Sequence, residues 1–250
     1  MHPILFKIGY ITIYTYGTLV ALGILIALYL ATKQAAKENI KAEKIADLFL
    51  WMIIGGFTGA RLAYVFTQRN YFMENPAKIF FANEGFIFYG GFITGFLAVS
   101  LYVKRNKLQP WKTADIIAPP LAIAQAIGRI GCFFYGCCYG TTAIPVQLIE
   151  SLVLFCIFCI LAFVRKYKKF DGEVFWLYVL LYAVTRFVIE FFRSDPRGHI
   201  WIFSTSQFIA IFMAIAAVAA LIMGTVHSQA CEMSPKPSKG VKGDTSQSWE

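Results

Sequence analysis

Charge is what this chain is shortest of. Asp, Glu, Lys and Arg make up 15% of its 250 residues, against about a quarter in ordinary soluble domains. Histidine is nearly absent, at three residues. With 58% hydrophobic residues and a mean hydropathy of +0.61, so few charges cannot screen the apolar surface from water, which excludes a water-soluble globular fold. The apolar runs also lack the alternation of polar and apolar residues that marks barrel strands. Helices are then the form left to segments that must satisfy their own backbone groups in lipid. The first ten residues carry one Lys and no small-residue cleavage site, so no signal peptide is expected.

What the chain has in quantity is long apolar runs. Crossing about 30 Å of hydrocarbon takes roughly 20 helical residues, and seven such runs lie at 11–31, 48–67, 85–103, 114–134, 147–164, 173–192 and 204–223. The expected fold is an all-α bundle of seven transmembrane helices over residues 1–226, with a polar, disordered tail at 227–250. Glycines recur within the spans, as at Gly55, Gly56, Gly59, Gly90, Gly91 and Gly95. Small residues let membrane helices approach closely, which accounts for most of them.

The 23 Lys and Arg residues set the orientation. Fifteen fall in the connections after the first, third and fifth spans and in the C-terminal tail; five (Lys7, Arg69, Lys78, Arg193 and Arg197) fall on the other side. Short cytoplasmic loops carry the basic excess, so the N-terminus is expected outside and the C-terminus in the cytoplasm. The net charge of +9 then reads as a topology signal and a contact with anionic membrane lipids rather than as a nucleic-acid surface.

The three remaining basic residues, Arg61, Arg129 and Arg186, lie inside spans, where an ionisable group faces the bundle interior and marks a site. At 1.5 Å per residue they fall roughly 6 to 9 Å from the outer ends of their helices. Glu190, four residues after Arg186, is its natural counter-charge. Gln147, Glu150, Tyr16 and Tyr89 reach the same layer. Three Arg against two Glu leave positive charge in excess, and the guanidinium fork suits phosphate oxygens. A phosphate or carboxylate arriving from the outer leaflet, such as a phospholipid headgroup, is the ligand this implies.

The densest segment runs Gly128-Arg129-Ile130-Gly131-Cys132-Phe133-Phe134-Tyr135-Gly136-Cys137-Cys138-Tyr139-Gly140. Its glycines predict a helix ending in a tight turn. A disulfide from Cys132 to Cys137 or Cys138 would staple that turn in an oxidising compartment; a catalytic thiol at Cys132 is the alternative. No His lies near to complete a metal site. Cys156 and Cys159 share an apolar helix face as packing residues.

With these residues in place the chain resembles the prolipoprotein diacylglyceryl transferases of bacteria. The resemblance runs through Tyr16-Gly17, Arg61 in its Gly-rich span, Gly90-Gly91, Asp115 with Ala118-Pro119, Gly128-Arg129 to Gly140, Gln147-Leu148 with Glu150, and Arg186 to Glu190 with Arg193. It implies transfer of diacylglycerol from phosphatidylglycerol to the lipobox cysteine of a prolipoprotein signal peptide, at the extracytoplasmic side of the bacterial inner membrane, with neither cofactor nor metal. Arg129, Arg186, Glu190, Tyr89 and Cys132 would form the catalytic set. Tyr16, Arg61, Gly90, Gly91, Gly140, Gln147, Glu150 and Arg193 would bind substrate. The chain departs from the family pattern at Tyr89, where most members carry His, and at Cys132 and Cys137, where they carry Asn and Glu. Ile144-Pro145 and Ile149 replace a usual His-Pro and Tyr, and an extracytoplasmic insert is missing. A membrane thiol-disulfide oxidoreductase using the outer cysteines and a non-enzymatic lipid-binding or transport relative are the competing readings.

Overall fold

The computed structural model describes residues 4–8, 11–74, 85–137, 140, 145–193, 199–200 and 203–233. A hairpin of β1 (Ile4–Ile8) and β2 (Ile11–Tyr14) leads into α1 (Thr15–Lys37), followed by α2 (Ala42–Thr67), a short α3 (Arg69–Glu74) and α4 (Phe88–Arg105). Next come α5 (Pro110–Tyr135), α6 (Val146–Val164) with a 3-10 turn at Arg165–Tyr167, and α7 (Glu173–Glu190). A two-residue ribbon, β3 (His199–Ile200) with β4 (Phe203–Ser204), precedes α8 (Thr205–Met233). Each of the seven apolar runs falls on a helix of 18 residues or more.

The chain is an all-helical membrane bundle in which five helices, α1, α2, α5, α6 with its 3-10 turn, and α8, are long and apolar enough to cross a bilayer. The other two are interrupted by charge: α4 ends in Lys104-Arg105 and α7 carries Glu173, Arg186 and Glu190. Large apolar side chains such as Leu25, Phe57, Leu97, Phe163 and Phe212 point outward, the reverse of a soluble surface and the arrangement lipid favours.

The expected boundaries shift where local chemistry competes. The run expected to be helical from residue 11 begins as strand, because Ile-Thr-Ile-Tyr at 11–14 is β-branched and aromatic. Helix α5 starts early, at Pro110, since proline suits a first helical turn. Helix α8 opens on a reciprocal cap: Gln207 N–H donates to Ser204 Oγ (3.2 Å) and Ser204 N–H to Gln207 Oε1 (3.1 Å). It then runs to Met233, past the expected tail boundary at 226; residues 234–250 lie outside the description.

Helix α5 is the axis of the bundle. One core joins its Ala118, Ala122 and Ala126 to Leu154, Ile157 and Leu161 of α6 and Val174 and Tyr178 of α7. A second joins Ile116 to Ala27, Ala31 and Ala35 of α1 and to Leu48 and Phe49 of α2. Alanines on the shared helix allow close approach on both sides. Helix α4 packs on α2 through glycine: a Cβ at Gly91 would stand 2.7 Å from Gly56 O, and Thr94 Oγ1 donates to Gly55 O at 2.8 Å.

At the end of α5 that begins with Pro110, the fully buried Asp115 accepts the N–H groups of Gly172 (2.8 Å) and Phe175 (3.0 Å), which ties down the start of α7. Lys168 Nζ adds a contact at 3.4 Å. Pro119 has no N–H for the carbonyl of Asp115, four residues earlier, and Arg165 Nη1 approaches that oxygen at 3.5 Å. Glu38, at the end of α1, pairs with Arg165 (3.0 Å), Lys168 (3.3 Å) and Lys112 (3.7 Å).

Candidate functional site

At the opposite end of α5, four segments converge on one carboxylate. Glu150, in the second turn of α6 and 2% exposed, meets Arg129 Nη2 of α5 at 2.8 Å, Arg193 Nη1 at 3.7 Å and Arg186 Nη1 of α7 at 3.9 Å. Glu190 Oε2 lies 3.5 Å from Arg186 Nη2, as the four-residue spacing requires. The guanidinium of Arg186 also donates to Ser206 Oγ of α8 (3.4 Å). Among the described residues, three guanidiniums stand against two carboxylates in this largely buried cluster.

Local backbone chemistry aims these groups. Helix α5 ends where Gly136 turns left-handed at φ +81° and returns its N–H to Cys132 O at 3.0 Å. Gln147 Nε2, in the first turn of α6, donates to Cys137 O at 2.9 Å, and Ser151 Oγ donates to Ala126 O at 2.8 Å. These two bonds lock α6 against α5 on either side of Glu150. Gly140 forms an antiparallel bridge with Arg193, which brings the segment after α7 back under the turn. Tyr182, one turn before Arg186, stacks on Tyr178 with ring centroids 5.9 Å apart, and Tyr178 O–H donates to Gln125 Oε1 at 2.8 Å. Tyr182 and Cys132 both lie within electrostatic reach of Arg129. A polar seam thus leads from the arginines toward the middle of the bundle between α5 and α7.

The structure brings together Arg129, Arg186, Glu190, Glu150 and Arg193, with Gln147 and Gly140 holding the frame. Among the described residues, Arg193 supplies the third guanidinium of the cluster where Arg61 was expected. Arg61 instead donates to Gly85 O (3.1 Å) and sits over the rings of Tyr64, Phe72 and Phe86 at 5.5 to 5.9 Å, at the end of the α2–α4 pair. Gly90 and Gly91 are pressed against Gly59, Ala63 and Gly56 of α2, so their immediate role is helix packing. Tyr89 is largely exposed, edge-on to Phe88. Tyr16 rests beside Tyr135, ring centroids 6.1 Å apart, and against Gly131 of α5.

No disulfide joins Cys132 to Cys137. The turn expected to need one is closed by the left-handed glycine, and Cys137 Sγ faces the carbonyl of Cys132 at 3.9 Å; Cys138 lies outside the described residues. Cys156 and Cys159 are exposed on α6 rather than packed inside. Among the described residues no group of three or more His, Cys, Asp or Glu side chains is placed to hold a metal. Sequence reasoning missed Ser206, Gln125, Tyr178 and Tyr182, since hydroxyl and amide side chains in apolar helices carry no distinguishing spacing.

The chain matches the family described as prolipoprotein diacylglyceryl transferase over residues 3–223. A protein of Clostridium tetani named phosphatidylglycerol--prolipoprotein diacylglyceryl transferase is 37% identical over 239 residues, which is 87% of this chain and 96% of that protein. A second, from Clostridium perfringens and numbered 2 under the same name, is 34% identical over 87% of this chain and 93% of its own length. A third of that name, from Enterococcus faecalis, is 31% identical over 89% and 90%. A match over residues 3–223, a range that contains the residues of the arginine cluster, leaves one assignment: the chain belongs to the prolipoprotein diacylglyceryl transferase family.

Proposed function

We propose that the chain transfers the diacylglyceryl group of phosphatidylglycerol to the thiol of a lipobox cysteine in a prolipoprotein, releasing glycerol phosphate. The cysteine sulfur forms a bond to the glycerol carbon of the lipid, the bond from that carbon to the phosphate oxygen breaks, and the thiol proton leaves to a base. The observation that carries the reading is the cluster around Glu150, where three arginines from different segments converge at one end of the bundle. The phosphate leaving group is an anion that such guanidinium forks suit. Arg129 and Arg186 hold it and stabilise the charge that grows as the bond breaks. Their field also favours the attacking thiolate over the thiol. Glu150 spaces the three guanidiniums, and Glu190 and Ser206 fix the direction of Arg186.

All seven long helices cross the bilayer of the bacterial inner membrane in this reading, with the N-terminus outside and the arginine cluster on the extracytoplasmic side. The 15 to 5 distribution of basic residues supports that orientation. Tyr89 and Cys132 occupy the positions of the family's His and Asn; Cys132 sits one helical turn after Arg129, and Tyr16 flanks the same end of α5.

The test is direct. Purified protein with phosphatidylglycerol and a lipobox peptide should yield the diacylglyceryl peptide, scored by mass spectrometry. Arg129→Lys and Arg186→Lys keep the charge but lose the two-pronged geometry, and each should slow turnover by about a hundredfold or more. Near-normal rates and phosphatidylglycerol affinity in both variants would make the arginines structural and sink the assignment of this site.

A further inference from the structure

The N-terminal hairpin takes no part in the ion cluster. Strands β1 and β2 pair only with each other among the described residues, so the far edge of β1 presents backbone groups without a strand partner. Their register slips: Ile4 faces Tyr14 and Phe6 faces Ile13, which leaves Leu5 as an extra residue. A bulge of this kind re-aims side chains. Leu5 and Phe6, adjacent in sequence, accordingly line the same groove, of about 510 Å³, together with Ile13, Tyr14, Gly17 and Thr18. Both remain half exposed, at 49% and 47%. A Cβ built on Gly17 meets nothing within 4 Å, so the first turn of α1 leaves the floor of the groove open.

The groove stands next to the reacting end of the bundle. Tyr16, between Tyr14 and Gly17, places ring atom Cδ2 3.2 Å from where a Cβ on Gly131 would be. Gly131 lies between Arg129 and Cys132 on α5.

We infer that this groove and the open edge of β1 receive the apolar stretch of the prolipoprotein that leads to its acceptor cysteine. The inference rests on the transferase reading, since that reaction requires a peptide whose thiol must reach the arginines. A secretory signal segment carries an apolar region of 7–15 residues. An extended peptide that adds to a sheet edge gains affinity from backbone hydrogen bonds and specificity from pockets for its side chains. Lipid would cover the apolar side chains of the hairpin equally well. Acyl chains offer no hydrogen-bonding partner to the edge of β1, however, and at the outer side, where Lys7 of β1 lies, an extended peptide can supply one. A peptide strand answers both demands.

Full-length protein in phosphatidylglycerol-containing nanodiscs, given a fluorescent lipobox peptide, tests this. Gly17→Leu fills the groove from a position with room for the side chain; Leu5→Ala and Phe6→Ala remove its wall from the other side. Each should raise the peptide KM, by about tenfold for a lost apolar subsite, with kcat and the KM for phosphatidylglycerol unchanged. A peptide N-methylated at alternate amides ahead of the cysteine should lose affinity for the wild type. A rise in the phosphatidylglycerol KM alone would assign the groove to an acyl chain and overturn the inference, as would no change in any constant. If the wild type forms no adduct, the transferase reading fails by itself, and peptide binding decides for the groove: weaker binding to Gly17→Leu supports it, equal binding overturns it.

Discussion

The two ends of helix α5 solve the same electrostatic problem with different remainders. At one end Glu38 is held by Lys112, Arg165 and Lys168, and the linked carboxylates Asp115 and Asp171 bring the count to three cations and three anions. At the other, Glu150 is held by Arg129, Arg186 and Arg193, with Glu190 as the second anion against three cations. The first cluster balances and closes. Among the described residues the second sets three arginines against two carboxylates, uses only arginine, and sits beside the left-handed turn at Gly136. A carboxylate gripped by three cations is therefore not in itself a sign of function; the choice of cation is the sharper difference. Lysine in the first cluster acts as a point charge, whereas the planar guanidiniums of the second present forks to a phosphate.

Exchanging carboxylates tests that contrast most severely. Removing one partner of a buried ion pair costs about 3–5 kcal/mol, so Glu150→Gln should lower the melting temperature in detergent and abolish transfer even in molecules that remain folded. Glu38→Gln should lower the melting temperature but leave transfer per folded molecule within about twofold, because its cluster lies at the opposite end of α5 from the arginines around Glu150. Equal losses of turnover in both variants, measured against folded fraction by size-exclusion chromatography, would erase the distinction between the ends.

A smaller effect is expected at Asp115. Its side chain accepts two backbone N–H groups at the start of α7 and one Lys contact. An amide in its place loses the charge and can accept through only one atom, which costs about 1–3 kcal/mol. Asp115→Asn should thus show as reduced thermal stability with the KM for phosphatidylglycerol unchanged; a shifted KM would mean that the anchored start of α7 governs the far end of the helix.

The smallest effect should come from the thiol. Since no bond joins Cys132 to Cys137, Cys132→Asn, which places the common family residue beside Arg129, should keep or raise turnover. Cys132→Ala should change stability by about 1 kcal/mol or less. Abolished turnover in a folded Cys132→Asn protein would assign the thiol a chemical role that the balance of the two clusters does not require.

Much of this was legible beforehand. Arg129, Arg186 and Glu190 stand out because charge inside an apolar helix is costly, and the four-residue spacing alone pairs Arg186 with Glu190. Composition and spacing alone marked Arg193 as a basic residue beyond a helix end, and only the family resemblance made it a binding residue; its place in the cluster depends on the bridge to Gly140, a contact between segments far apart in sequence. Arg61 failed for the complementary reason. Its depth along α2 matched the others, but depth does not fix which neighbour a helix faces, and the glycine contacts of α2 turn that end toward α4 and a ring of aromatic side chains. The staple from Cys132 to Cys137 is not made because the turn it was meant to close is already closed by Gly136; its alternative, to Cys138, falls outside the described residues.

By itself the sequence determined the solvent of this protein, the approximate limits of its long apolar helices among the described residues, and the residue types of its candidate site. These follow from local free energies: apolar length against bilayer thickness, and the cost of a charge in hydrocarbon. Only the tertiary structure decided which arginines share Glu150, that a second and balanced cluster fastens the other end, and where the hairpin leaves an open edge. Those depend on the rotation and register of packed helices, set by alanine and glycine contacts that carry no charge and no periodic signature of the partner they select.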